Sequence, residues 1–430
     1  MSLNLRSESG ISMTSGQDDL FETGQNDLLE IIRTGRRAKI RVLHVTDSLD
    51  WGGIDSWLMR FLALRRPEVK FDFAVLYHGG RDDEARQLGA DIHYLPYRWP
   101  YSVYRNMDNL ERIVAQGRYD VVHYHKTDFS GALFKIAMRH GVPVRVDHSH
   151  NTRGGDPYSL AVILRRIYHH LINRRRVRKY ATSLLACSEE AGRFAFGRIW
   201  KKKRPNPMVY CGVPLGQFRQ TRDETVRRSL CKQYGIPEDA VVIGTLGRFS
   251  FQKNQEFSVR VFAELAKRDP RYVLFLGGGG REGDAYTDMV KGISRQFAVE
   301  NRVVFPGSCS NAPALFCQLF DVFLMPSRFE GFGIVFIEAA VCGLHTVCSH
   351  VISNDIMERI PECFTTLAIT DSPVLWANAV EEALKKRKTP QQGFEIISRT
   401  PFSIETSVDN LLAVYAETLE KTELRQQKNT

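Results

Sequence analysis

The chain has 430 residues, 43% of them hydrophobic and 25% charged, with a formal net charge of +10. That length exceeds one ordinary core and suits two domains of about 180 residues each, while the average composition excludes a largely unfolded chain. No stretch approaches 18 uninterrupted apolar residues, which excludes a spanning helix on hydropathy alone.

Residues 1–38 are rich in Ser, Gly, Gln and Asp and hold one short apolar run, Leu28, Leu29, Ile31 and Ile32. This is the pattern of a mobile extension. It lacks a basic stretch followed by an apolar one, so no secretory leader is expected and the chain reads as cytoplasmic.

From Lys39 short β-branched runs alternate with helical stretches. Ile40–Val45, Phe71–Tyr77, Ile92–Leu95, Val121–His125, Val142–Val146 and Leu184–Cys187 read as buried strands, with helical periodicity between them at Trp57–Leu64 and Leu133–Met138. The series restarts at Val241–Leu246, followed by Val273–Leu276, Val303–Phe305, Val322–Met325, Thr346–Cys348 and Thr366–Ile369. Alternation of this kind predicts parallel sheets with helices on both faces. The expected fold class is therefore α/β, with two doubly wound Rossmann-like domains (39–215 and 216–402) facing each other across a cleft. A last helix, about Ile404–Lys421, lies in the terminal segment 403–430; whether it packs back on the first domain is not legible in the sequence.

In such sheets ligands bind beyond the carboxyl ends of the strands, where loops meet helix N-termini. In chain order those places hold Asp50-Trp51-Gly52-Gly53-Ile54-Asp55, then His125-Lys126, then Asp147-His148-Ser149-His150-Asn151. In the second series Val241–Leu246 runs into Gly247-Arg248-Phe249-Ser250-Phe251-Gln252-Lys253-Asn254. A forked guanidinium, a point-charge ammonium and the positive end of a helix suit a diphosphate. An ordinary basic helix cap is the plainer alternative.

Val322–Met325 leads into Pro326-Ser327-Arg328-Phe329-Glu330-Gly331-Phe332-Gly333, and the following helix carries Glu338. Eight helical steps span about 12 Å, close to the separation of the two sugars in a nucleotide diphosphate sugar. Glu330 is placed to hold hydroxyls of the transferred sugar and Glu338 those of the ribose. Gly331 and Gly333 leave backbone N–H groups open at the helix start. Glu338 sits on a strongly apolar helix, where an unpaired carboxylate is costly, so it needs a partner or a ligand.

These motifs, in this order, resemble the GT-B glycosyltransferases of family 4, over nearly everything from Lys39 to Tyr415, with the exopolysaccharide and capsule members most similar. The resemblance implies a retaining hexosyltransferase that uses a nucleotide diphosphate sugar, UDP favoured over GDP, and a hydroxyl of a glycan or polyprenyl-diphosphate-linked saccharide. It implies a donor site of Arg248, Lys253, Asn254, Gly278, Glu330, Gly331, Phe332, Gly333 and Glu338. Gly52, Gly53, Asp55 and His125 fall on its acceptor and phosphate side, with His148 or His150 and Glu330 at the reacting centre. Retention is expected by same-face attack without a covalent intermediate. No Asp-x-Asp motif occurs, in keeping with no metal and no cofactor. Cys187-Ser188-Glu189-Glu190 and Tyr210-Cys211-Gly212-Val213-Pro214 match the region between the domains. The sequence departs from the family at Cys211, where Asn is usual, at Asp55, where Glu is commoner, and at His345, where Pro is frequent. A nucleotide-sugar 2-epimerase of similar architecture and a non-catalytic sugar-nucleotide binder are the rival readings.

Three features remain. Gly278-Gly279-Gly280-Arg281-Glu282-Gly283 matches a dinucleotide-binding pattern, but it follows the second strand of its domain, and Glu300 precedes the next strand instead of ending it. Between Val162 and Arg204 there are 13 Lys or Arg against two Glu, a local balance of +11. With the stripe Ile163, Leu164, Ile167, Tyr168, Leu171 and Ile172 this suits an anionic membrane surface at the inner leaflet; a stripe packed on the sheet is the alternative, and no nucleic-acid motif accompanies the charge. The eight cysteines form no Cys-x-x-Cys pair and read as buried thiols, too widely spaced for a zinc site.

Overall fold

The computed structural model describes residues 39–95, 102–126, 130–152, 160–197, 200, 208–279 and 283–428. The extension 1–38, most of the stretch Arg198–Arg204 and three residues of the glycine-rich turn (Gly280, Arg281, Glu282) lie outside them. Two six-stranded parallel sheets form the frame. The first contains β1 (Ile40–Thr46), β2 (Val69–Val75), β3 (Ile92–Tyr94), β4 (Val121–Tyr124), β5 (Val144–Ser149) and β6 (Ser183–Ala186), in the order β3-β2-β1-β4-β5-β6. The second contains β7 (Val241–Leu246), β8 (Tyr272–Gly277), β9 (Val303–Val304), β10 (Val322–Met325), β11 (Thr346–Ser349) and β12 (Phe364–Leu367), in the order β12-β11-β10-β7-β8-β9. This is the α/β, doubly wound, two-sheet architecture that the alternation predicts.

Where strand bounds differ from the sequence pattern, pairing decides. β12 ends at Leu367, two residues short of the apolar run. It pairs with β11 from Thr346↔Phe364 to Ser349↔Leu367, after which Asp371 caps the chain through the Ala368 N–H at 2.9 Å. β2 likewise starts earlier, because Val69–Val75 matches Ile40–Thr46 residue for residue.

Each sheet reverses its winding between its first and fourth strands, β1/β4 and β7/β10. The loops after those four strands therefore converge on the cleft. The chain crosses between the sheets twice, at Val213 and Ser403, and the two crossings pair with each other: Val213 N donates to Phe402 O, and Ile404 N to Val213 O, both at 2.9 Å. Beyond the second crossing, helix Ile404–Gln427 returns to the first sheet. Trp57 Nε1 donates to Ser407 Oγ at 2.9 Å, Tyr415 hydroxyl meets His123 Nδ1 at 2.6 Å, and Val408, Leu411, Leu412, Ala416 and Leu419 are buried. The terminal helix thus closes the core of the first sheet.

One cysteine expectation is corrected: Cys317 and Cys342 are joined as a disulfide, because the helical turn before β10 and the end of helix Ile334–Val341 bring their Cα atoms to 5.0 Å. The other six are free, and only Cys309 among them is not buried.

Candidate active site

The loop after β10 holds the first carboxylate. Glu330 is buried, and its Oε1 accepts from Lys253 Nζ at 2.7 Å and from Ser327 Oγ at 2.6 Å, while Gln252 Nε2 lies 3.5 Å from Oε2. Asn254 takes a left-handed conformation at the start of helix Gln255–Ala266 and donates through Nδ2 to Pro326 O at 3.0 Å. Its side chain thereby ties the β7 loop to the β10 loop. Gly278, at φ +144°, closes the same corner: a Cβ there would lie 2.0 Å from Gly247 O, so the turn after β8 packs directly on the β7 turn.

Glu338, buried on helix Ile334–Val341, accepts from Arg60 at 2.5 Å. Arg60 stands on helix Gly53–Ala63 of the opposite sheet. A desolvated carboxylate is tolerable only with such a partner, since an unpaired buried charge shifts the balance by several kcal/mol. The first helix also brings Gly52 under the cations of the other half: a Cβ at Gly52 would fall 3.0 Å from an Arg248 guanidinium nitrogen and 2.9 Å from Asp55 Oδ2. Gly53 faces Ile334. Arg248 therefore meets the Gly52-Gly53 turn from the other half, and Lys253 packs beside Gly247 at the start of the same loop.

The facing loops also touch through backbone. Thr152 Oγ1 donates to Glu330 O at 2.8 Å, and Ser188 Oγ donates to Gly331 O. A Cβ at Gly331 would lie 1.9 Å from His150 O, so only glycine permits this approach. Gly333, at φ +93°, starts helix Ile334–Val341. Phe332 is placed differently from a ligand contact. Its ring is buried, stacked on Tyr210 at 5.4 Å and set edge-on to Phe402, which leaves only its backbone free of that packing.

Five histidines fill the carboxyl ends of β1, β4 and β5. His44 Nδ1 is 2.9 Å from His125 Nε2, His125 Nδ1 is 3.0 Å from His150 Nε2, and His123 Nε2 is 3.2 Å from His148 Nδ1. His148 is wholly buried, whereas His150 keeps an edge exposed beside Cys211, whose Sγ is 3.5 Å from its Nδ1. The sequence left the two equivalent; of the pair only His150 is partly exposed, and its carbonyl lies against Gly331 of the facing loop. His44 and His123 escaped sequence reading, although His123/His125 and His148/His150 share faces by period-two alternation and His44 pairs opposite His123. Burial lowers His44 to about 3 and, with the neighbouring imidazoles, holds His123, His125 and His148 well below the ordinary histidine range.

Among the described residues three groups bring metal-capable atoms within 4.8 Å of one another: His44, His123 and His125; His125, His148 and His150; and His150, Cys187 and Cys211. In the last, the neighbouring Cys187 thiol, aided by His150 and opposed by burial, holds the Cys211 thiol down to about 6, while burial pushes Cys187 up.

Away from the cleft, residues 160–180 form one helical segment with a π turn at His169–Asn173. Its inner face is His169, Asn173 and Val177: His169 Nε2 meets Ala195 O at 2.9 Å, and Asn173 bonds Gly131 N and Ser130 Oγ. That anchoring turns Leu160, Ile163, Leu164, Ile167, Leu171 and Ile172 outward, with exposures of 40–68%. Arg175, Arg176, Arg178 and Lys179 are exposed on the same segment. No described helix is long and apolar enough to cross a membrane.

Residues 226–393 match the family described as glycosyl transferases group 1, and residues 25–204 match the glycosyl transferase 4-like domain. A Bacillus subtilis (strain 168) protein bearing the name glycosyltransferase EpsF is 30% identical over 393 residues, covering 89% of this chain and 97% of its own. A D-inositol 3-phosphate glycosyltransferase of Actinosynnema mirum is 30% identical over 312 residues, 70% of this chain and 73% of that one. Among solved structures, Anabaena HepE in complex with UDP and glucose superposes with a TM-score of 0.71 at 19% identity, over 89% of this chain and 100% of that one. A glycosyltransferase from Rickettsia africae ESF-5 gives 0.70 at 16% identity, over 89% and 99%. At these identities the structural likeness establishes the fold.

The buried histidines give stability a definite pH dependence. His44 and His123 have folded pKa values below the unfolded value of about 6.5, so they contribute no difference above it; as pH falls through it the unfolded chain binds protons that the folded chain refuses. Each adds a slope of up to about 1.4 kcal/mol per pH unit. The urea midpoint is expected to fall between pH 7 and pH 5, and His44→Gln to make that fall shallower; a midpoint independent of pH over this range would contradict the buried neutral cluster.

Proposed function

The chain belongs to the group 1 glycosyl transferases, and from that premise we propose that it is a retaining, metal-independent hexosyltransferase acting on a nucleotide diphosphate sugar, UDP-linked before GDP-linked. The observation that carries this reading is that Arg248 meets Gly52 of the facing half, Glu338 pairs with Arg60 of the helix that follows, and Lys253 holds Glu330 beside them. The cleft so offers two cations to a diphosphate, one carboxylate to a sugar and one to a ribose. HepE, of the same fold, holds UDP and glucose, which favours the uracil base.

In the proposed reaction the acceptor hydroxyl attacks the anomeric carbon on the face from which the diphosphate departs. The carbon–oxygen bond to the leaving phosphate breaks as the new glycosidic bond forms, and the hydroxyl proton passes to the departing phosphate oxygen. Arg248 and Lys253 stabilise the charge that develops on that diphosphate, the part a metal ion plays elsewhere. Donor binding frees Glu330 from Lys253, because the diphosphate takes the ammonium while sugar hydroxyls take the carboxylate. Donor binding also takes His150 Nδ1 from Cys211, 3.5 Å away, so that this partly exposed histidine hydrogen-bonds the sugar near the reacting carbon.

The acceptor is proposed to be a polyprenyl-diphosphate-linked saccharide in polysaccharide assembly, as the likeness to EpsF suggests. The outward stripe of segment 160–180 supports peripheral docking on anionic lipid, where each basic residue near the surface adds about 1 kcal/mol.

Thermal melting with UDP, GDP or ADP, EDTA present, tests the donor site. A nucleotide at 100 times its Kd stabilises the fold by about 2.7 kcal/mol, and this is expected for UDP and lost in Arg248→Ala. Equal shifts in wild type and Arg248→Ala would remove the cation from the site. Cosedimentation with phosphatidylglycerol vesicles tests docking: Leu164→Glu with Leu171→Glu should abolish it, and undiminished binding would place the contact elsewhere.

A further inference from the structure

Cys187 follows the last residue of β6, His150 follows β5, and Cys211 lies in the segment that leads to the first crossing between the sheets. Backbone pairing fixes all three. Cys187 N donates to Ser149 O at 3.0 Å, and Val209 N donates to Ala186 O at 3.2 Å, so the two strand ends and the crossing segment lie side by side. Sγ of both cysteines and a ring nitrogen of His150 then fall within 4.8 Å of one another.

We propose that His150, Cys187 and Cys211 form a binding site for one thiophilic divalent cation of the zinc class, and that its occupation stops sugar transfer. The spacing fits. A thiolate about 2.3 Å and an imidazole nitrogen about 2.0 Å from zinc, at tetrahedral angles, lie about 3.5 Å apart; His150 Nδ1 and Cys211 Sγ are 3.5 Å apart. The charge fits too. On binding, both thiols release their protons to solvent, and two thiolates cancel the double charge of the ion. The all-imidazole groups have no anionic ligand and would leave that charge buried and uncompensated.

The surroundings supply the rest. A cation on His150 Nδ1 requires Nε2 to carry the ring proton, and His125 Nδ1 stands 3.0 Å away to accept it. Both cysteines are buried while His150 is only partly so, and water supplies the fourth ligand that the three side chains leave open. The consequence is inhibitory on two counts. The ion occupies the nitrogen of the cleft histidine, and it pins the crossing segment to the first sheet. Cation binding is independent of the proposed transfer reaction; only the inhibition rests on it.

The reduced, full-length chain is titrated with Cd2+ while the thiolate-to-cadmium charge-transfer band is followed, and dialysed against buffered Zn2+ for elemental analysis. One cation per chain is expected, with the band lost in Cys211→Asn and in Cys187→Ser and kept in Cys309→Ser. Zinc should abolish transfer by wild type, with recovery in EDTA, and leave Cys211→Asn at its own zinc-free rate. Absence of stoichiometric binding, or wild-type binding by both variants with unchanged melting curves, overturns the site. Stoichiometric zinc with undiminished transfer overturns the inhibition alone.

Discussion

Two desolvated carboxylates govern the molecule. Glu330 and Glu338 are both buried beside the cleft, and each is held by a cation from elsewhere in the chain, Lys253 after β7 and Arg60 on the opposite sheet. Stripping one partner from a buried pair costs about 3–5 kcal/mol, so the loops that carry these residues cannot drift apart freely. The Glu338–Arg60 pair makes this a constraint between domains.

Around those pairs the backbone is built for close approach. Gly331 lies against His150 O and Gly278 against Gly247 O, two backbone contacts that any side chain would obstruct, and Gly52 meets the tips of Arg248 and Asp55. The two chain crossings, Val213 and Ser403, sit side by side, and the terminal helix anchors on Trp57 and His123 of the first sheet. The candidate site and the paired crossing are therefore neighbours, and Cys211 lies beside both.

How much of this was legible in the sequence follows from which contacts are local. The twelve strands show as apolar runs because both faces of a parallel sheet are buried. The donor loops show because strand, glycine, cation and helix follow one another within a few residues. The need of Glu338 for a partner was legible from its apolar helix; the identity of that partner was not, since Arg60 is 278 residues away and carries no motif. The same holds for the thiol–imidazole cluster, whose three residues come from three separate segments and whose sequence spacing argues against a metal. The outward stripe of segment 160–180 was ambiguous because periodicity reports a face but not its direction. The polar anchors His169 and Asn173 decide it, by hydrogen bonds that no pattern reveals.

The central claim is that the paired cations and carboxylates bind a nucleotide diphosphate sugar and cleave it with retention. The most direct measurement is proton NMR of the sugar first released when the purified chain, in EDTA, slowly hydrolyses UDP-glucose, an α-linked donor. The account predicts UDP and α-glucose as the first products, with β-glucose appearing only by later mutarotation. β-Glucose formed first would show inversion, and no release from any of the UDP- or GDP-hexoses would show that the cleft does not perform the transfer.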